Sequence, residues 1–220
     1  MQKQRKLKKN SRLKIPKINH EQYLLGLGFK NIVGVDEVGR GSWAGPLVVA
    51  AVQLPIKNRL YHLRDSKLLT AQKRLKLARK IRKTSSFAIG QVEVFEINKL
   101  GLGQALQLAF RRAISNLKIK PDFILVDGFR LPDLKISQKA IIAGDLKCAS
   151  IAAASIVAKS YRDSLMEKLS RKYVGYYLEK NKGYGTHQHQ KALAVNGPCE
   201  IHRNYRPIRK LKFEYRNSKS

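Results

Sequence analysis

The chain has 220 residues, room for one substantial core and a small appendage. Its 45 Lys and Arg against 15 Asp and Glu give a formal charge of +30, which calls for a polyanionic partner, and no stretch approaches the roughly 20 apolar residues that span a bilayer, so nucleic acid leads over a membrane. The two cysteines, Cys148 and Cys199, lack CxxC or Cys/His ligand spacing; this argues against zinc and, with no secretory signal, fits a reducing, cytoplasmic compartment.

Residues 1–17 hold eight Lys or Arg and no acid, and with Pro16 they read as part of a basic, disordered arm over 1–19. A phosphate-binding arm, a solubilising tail and a transit peptide all share that composition. A short helix follows from about Glu21 to Leu25, stopped by Gly26 and Gly28. Asn31 to Asp36 reads as the first strand. It delivers Asp36 and Glu37 into the glycine-punctuated stretch Val38-Gly39-Arg40-Gly41-Ser42-Trp43-Ala44-Gly45-Pro46. Successive strand residues face opposite sides, so the pair serves one site only if the strand ends near Asp36 and the backbone turns there. Gly39 and Gly41 can supply the turn, because glycine tolerates positive φ and lets the main chain lie against a ligand.

Leu47 to Leu54, bounded by Pro46 and Pro55, is a second strand able to pair with the first as a hairpin. Asp65-Ser66-Lys67 opens a basic helix, with Ser66 as candidate N-cap and Leu68, Leu69, Leu75, Leu77 and Ile81 as its apolar face. Phe87 to Phe95 alternates as a third strand. Ile97 to Leu117 reads as one long helix, weakened near its start by Gly101 and Gly103. Phe123 to Asp127 is a buried strand ending in a carboxylate, and Lys139 to Ala143 is an apolar run followed by Gly144-Asp145. Lys147 to Lys168 is a helix rich in small residues, which permit close approach to a sheet. A loop over 181–186 and a helix from His187 to Val195 follow, the latter ended by Asn196-Gly197-Pro198. Residues 206–220 form a basic tail. No internal repeat or linker interrupts 20–205, which reads as one domain.

Three apolar runs thus end in acids: Asp36 with Glu37, Asp127, and Asp145. Taken singly, Asp127 before Gly128 reads equally as a turn former and Asp145 as a helix cap. In a chain of +30 the set calls for another explanation. Clustered carboxylates raise one another's pKa unless a cation neutralises them, and oxygen-only ligands select Mg²⁺ or Mn²⁺. Two such ions can activate water and stabilise the leaving oxygen in phosphodiester hydrolysis.

Several motifs together resemble the ribonuclease HII family, from about Glu21 to Tyr205. They are Asp36-Glu37-Val38-Gly39-Arg40-Gly41, Asp65-Ser66-Lys67, Val126-Asp127-Gly128, and Gly144-Asp145-Leu146-Lys147 running into Ser150 to Lys159 and Arg162-Asp163. Asn181-Lys182-Gly183-Tyr184-Gly185-Thr186, Gly197-Pro198-Cys199 and His202-Arg203 complete the set. The resemblance implies an α/β, ribonuclease H-like fold: a mixed central sheet flanked by helices, with a small C-terminal helical extension. It implies metal ligation by Asp36, Glu37, Asp127 and Asp145. It also implies that the backbone of Gly39, Arg40 and Gly41 senses a ribose 2′-OH, the group that marks RNA against DNA. Tyr184 would stack on the deoxyribose just beyond the ribonucleotide. Lys67 and Lys147 are candidate phosphate contacts, against the reading of solvated surface lysines. Asp163 reads as structural, pairing with Arg162 or a nearby base. The chain departs from the family at Asn204-Tyr205, where Ser-Phe is usual, and in its basic N-terminal arm.

The leading expectation is a monomeric endonuclease that cuts the RNA strand of RNA–DNA hybrids. It would also cut 5′ to single ribonucleotides in duplex DNA, leaving 3′-hydroxyl and 5′-phosphate ends. A non-catalytic basic nucleic-acid-binding protein would explain the charge but not the acids. Another metal nuclease on the same fold would cleave all-DNA duplexes.

Overall fold

The computed structural model describes residues 19–55 and 70–205. The arm, the Asp65-Ser66-Lys67 motif and the 206–220 tail lie outside the described residues. A helix, α1 (Asn19–Gly26), leads into β1 (Ile32–Val38) and β2 (Leu47–Gln53). Then come α2 (Ala71–Thr84), β3 (Ser86–Val92), α3 (Val94–Leu100), α4 (Leu102–Ser115), β4 (Phe123–Asp127) and β5 (Ser137–Ile141). The chain continues with α5 (Gly144–Lys147), α6 (Ala149–Lys172), α7 (Leu178–Asn181) and α8 (His187–Asn196).

The sheet runs β3-β2-β1-β4-β5. β1, β2 and β3 pair antiparallel in sequence, and β4 and β5 add in parallel on the other side of β1. The expected hairpin and mixed sheet are both present. Each buried strand feeds two cores because its side chains alternate. Leu47, Val49 and Ala51 of β2 join Val33 and Val35 against α3 and α4, where Phe110 is the largest buried apolar side chain. Val48, Ala50 and Val52 point the other way, into the alanines of α6 and into Ala78 and Ile81 of α2.

The small residues of α6 do what their size suggests. A Cβ on Gly34 of β1 would sit 2.2 Å from the Ser150 carbonyl carbon, so helix and strand approach to backbone contact. Gly90 of β3 plays the same part against Ala109 of α4. Glu21 secures the helix start: its Oε1 accepts from the Ser150 N–H at 2.8 Å and from the Cys148 thiol at 3.1 Å. The helical extension has its own core of Tyr176, Leu178, Ala192, Leu193 and Ile201, closed onto Met166 of α6 and onto Ala44.

Several boundaries differ from the sequence reading, each for a local reason. The long helix is two: Gly101, at φ 77°, ends α3 and starts α4. The third strand stops at Val92 because Glu93 and Glu96 form a capping box that starts α3 there, leaving Phe95 on a helix. The cap of α2 is Thr70, whose hydroxyl accepts from the Lys73 N–H. The last strand begins at Ser137 because it is an edge strand whose outward positions are polar, which hid its first half.

Candidate active site

β1 does not end at Asp36. It continues to Val38, with Glu37 opposite Val49 and Val38 opposite Val48 of β2. The backbone turn expected at Asp36 comes later, at Gly39, φ 90°. Asp36 and Glu37 therefore leave opposite faces of the strand. They still share a neighbour, because β4 pairs with β1 only as far as Val35–Val126 and its next residue is Asp127. Beyond that rung the sheet opens, and the Asp127 charge raises the pKa of both Asp36 and Glu37. Burial is the larger cause for each. For Asp36, then Glu37, then Asp127 add to it, and the carboxyl is pushed up to about 8. Hydrogen bonds from Ser155 of α6 and from the Glu37 N–H, 2.7 Å from Asp36 Oδ1, act in the other direction. Arg40, 3.7 Å from Glu37, partly offsets the rise there.

Asp145 lies in the first turn of α5. The N–H of Gly144 donates to Asp127 Oδ1 at 2.7 Å, which ties the end of β4 to the first turn of α5. Asp145 is the next residue and is buried. Among the described residues, no three acidic, histidine or cysteine side chains close around one point tightly enough to form a complete metal cage. Two of the four acids instead hold backbone N–H groups. The set is all-oxygen and buried or half-buried, and the Asp36 and Glu37 carboxyls are held above their usual range, a donor chemistry that hard divalent cations satisfy. Lys147 is exposed and turns back on its own loop, its Nζ 2.7 Å from the Ile142 carbonyl. Lys67 lies outside the described residues.

The glycine-rich turn sits directly after these acids. Gly39 needs its glycine twice, for its positive φ and because a Cβ would fall 2.3 Å from Arg162 Nε. Gly41 differs from expectation: its φ is not in the left-handed region, and a Cβ there would meet nothing within 4 Å. Two guanidiniums, both fully buried, hold the turn from below. Arg162 donates to the carbonyls of Pro46, Ala44 and Lys182 at 2.9, 3.0 and 2.8 Å. Arg203 donates to the carbonyls of Gly39 at 2.6 Å and Gly45 at 2.8 Å. Arg162 is thus a loop clamp and not the partner of Asp163, which pairs with Arg74 and Lys159. Sequence reasoning placed both arginines in motifs without a role.

Tyr184 is half-buried beside that turn, bridged to Ser42 across it. Its ring centre lies 5.5 Å from the Arg162 guanidinium carbon and 6.0 Å from Lys159 Nζ. Behind it, His189 Nδ1 meets the Tyr184 carbonyl at 2.9 Å and its Nε2 meets His202 Nε2 at 3.2 Å.

A profile of the ribonuclease HII family matches residues 33–215, a span that takes in every motif above except the first helix. The chain belongs to the ribonuclease HII family. It is 48% identical over 184 residues to the ribonuclease HII of Caldicellulosiruptor bescii, covering 83% of this chain and 89% of that one. Identity to the ribonuclease HII of Chlamydia caviae is 46% over 194 residues, 87% of this chain and 91% of the other. The fold superposes on the crystal structure of ribonuclease H2 from Pyrococcus horikoshii with a TM-score of 0.73 and 28% identity, over 85% of this chain and 99% of that one. As a ribonuclease HII this is a hydrolase, an endonuclease acting on RNA–DNA hybrids. No helix among the described residues is long and apolar enough to cross a membrane.

Proposed function

We propose that the chain also cuts duplex DNA on the 5′ side of embedded ribonucleotides, leaving 3′-hydroxyl and 5′-phosphate ends. Asp36, Glu37, Asp127 and Asp145 would hold two divalent ions, Mg²⁺ or Mn²⁺. The family is generally dependent on divalent metal. The pressure on Asp36, pushed up to about 8 by burial and by its acidic neighbours, is what a bound cation relieves. Bound there, such ions supply an activated water and stabilise the leaving oxygen.

The remaining work falls to this chain's own groups. The Gly39–Gly41 turn would meet the sugar next to the scissile bond, a role supported by the open space over Gly41, where a Cβ would touch nothing within 4 Å. Tyr184 offers a stacking surface for the next deoxyribose. Lys67 and Lys147 are assigned to phosphates, although Lys147 reaches one only by releasing Ile142. The charge of +30 draws the polyanion to the acidic floor. The protein would act as a monomer in the cytoplasm, a setting that suits its two free cysteines.

One observation carries this reading: β1 and β4 part after the Val35–Val126 rung, so Asp36 and Asp127 follow side by side at the end of the sheet from which the glycine turn departs. The test is an end-labelled DNA duplex with one ribonucleotide, incubated with Mg²⁺ or Mn²⁺ beside the same duplex in all-DNA form. A single cut 5′ to the ribonucleotide and an intact all-DNA control are expected. Equal cleavage of both duplexes, or undiminished cleavage by Asp36→Asn, sinks the assignment.

A further inference from the structure

The carbonyls of Gly39 and Arg40 both point into the protein. Arg203 Nη1 donates to the Gly39 carbonyl at 2.6 Å and lies 3.3 Å from the Arg40 carbonyl. The Tyr205 hydroxyl accepts from the same Nη1 at 3.1 Å and donates to the Arg40 carbonyl at 3.3 Å. A trans peptide is planar, with its N–H directed opposite to its C=O. Fixing these two carbonyls inward therefore aims the N–H groups of Arg40 and Gly41 outward. Both residues are exposed, and neither N–H has a hydrogen-bond partner among the described residues. Two unpaired donors in the turn that follows Asp36 and Glu37 are a recognition element for a hydroxyl oxygen.

Arg203 is itself held in place from several sides. It is fully buried, it spans the Gly45 carbonyl with Nε at 3.0 Å and Nη2 at 2.8 Å, and its own N–H donates to the Trp43 carbonyl at 2.8 Å. The Asn204 N–H is anchored on Asn98 Oδ1 at 2.7 Å, so the segment carrying Tyr205 is tied to α3. The phenol hydroxyl is a second link, beside Arg203 Nη1, between this anchored segment and the Arg40 peptide, and a phenylalanine ring could not make it.

We propose that Tyr205, seated on Arg203, is a positioning residue that reinforces the outward orientation of the Arg40 and Gly41 N–H donors and so sharpens discrimination between ribose and deoxyribose in this chain beyond what Arg203 alone supplies. This rests on the reading of the Gly39–Gly41 turn as the 2′-OH sensor.

The test is Tyr205→Phe in the full chain, with Asn204→Ser as a control beside it. Two fluorescent duplexes of one sequence are used, one with a single ribonucleotide and one all-DNA. Binding is measured in EDTA, where no cleavage occurs, and kcat and KM are measured with Mg²⁺. Loss of one hydrogen bond predicts a two- to tenfold weaker grip on the ribonucleotide duplex, about the effect of a typical single bond. The all-DNA affinity is expected to stay unchanged, with KM rising more than kcat falls. A merely structural hydroxyl would lower the melting temperature and leave the ratio of the two affinities intact, which overturns the inference. If wild type does not distinguish the duplexes, the sensor reading fails and the inference falls with it. If wild type distinguishes them and Tyr205→Phe does so equally well, only the inference fails.

Discussion

Gly144 donates its N–H to Asp127 Oδ1 at 2.7 Å across 17 positions of sequence, and this bond ties one acid to the residue just before another, Asp145. It ties the end of β4 and the first turn of α5 together at one corner of the fold. The corner has no slack: a Cβ on Gly144 would stand 2.6 Å from Ile151 Cδ1 and 3.2 Å from Asp127 Oδ1. Gly144→Ala is therefore expected to push α5 away from β4. Overpacking of this kind costs about 1–3 kcal/mol, read as a lower denaturant midpoint. Cleavage should fall by more than the stability loss explains at temperatures where the variant is fully folded. Normal activity in a folded Gly144→Ala would show that the Asp127–Gly144 link does not position the site.

Asp36→Asn separates chemistry from folding. The Asp36 carboxyl is pushed up to about 8, first by burial and then by Glu37 and Asp127, so the native protein holds it against its own charge. Replacing it with an amide removes one of three repelling groups and keeps the shape. Activity should drop by about 10²- to 10³-fold, the usual scale for removing one group that stabilises the transition state electrostatically. The melting temperature in EDTA should stay the same or rise, while the increase that Mg²⁺ or Mn²⁺ produces in wild type should shrink. A variant that melts much lower in EDTA would mean that Asp36 is a structural acid.

The acids were legible because each follows an apolar run, and strand ends are where an α/β sheet gathers a site. What sequence could not give was how Asp36 and Glu37 cooperate. Alternation puts them on opposite faces, so a bend at Asp36 was expected; instead β4 stops pairing one residue early and leaves Asp127 beside both. That is a register fact, set by strands whose paired residues, such as Val35 and Val126, lie far apart in sequence. The arginine clamp was hidden for a similar reason. In a chain with 45 Lys and Arg, nothing local marks Arg162 and Arg203 as the two that are fully buried among the described residues. Glu21 was read only as part of a short helix, because its partners, Cys148 and Ser150, are more than 120 residues away.

Glu21→Ala tests that long-range cap. Its Oε1 holds the Ser150 N–H at the start of α6, the helix that packs on β1 to backbone contact at Gly34. Loss of a helix cap costs about 0.5–2 kcal/mol. Glu21→Gln keeps an acceptor oxygen and should recover part of it. Catalysis well below the melting temperature should be unaffected, since Glu21 lies at the other end of β1 from Asp36. A Glu21→Ala variant of full stability would remove the cap from the account of α6.

Acid sensitivity should centre on the buried pair His189 and His202. Burial pushes both below the usual histidine range, and for His202 the neighbouring His189 charge adds to it, down to about 4. The unfolded chain takes up these protons near 6.5, while native His202 refuses its proton until about 4. Between those values the unfolded state binds more protons, so stability falls as pH falls, at up to about 1.4 kcal/mol per unit for His202. Asp36 works in the opposite sense. Its raised value means the native state binds the extra proton between about 4 and 8, so its contribution grows as pH falls through that window. The two slopes partly cancel in wild type in EDTA. In Asp36→Asn the histidine slope is exposed: the denaturant midpoint should drop between pH 6.5 and 5 more steeply than in wild type. Adding His202→Gln should flatten it. Identical midpoints at pH 6.5 and 5 in Asp36→Asn would show that the histidine pair takes up its protons without cost in the native fold.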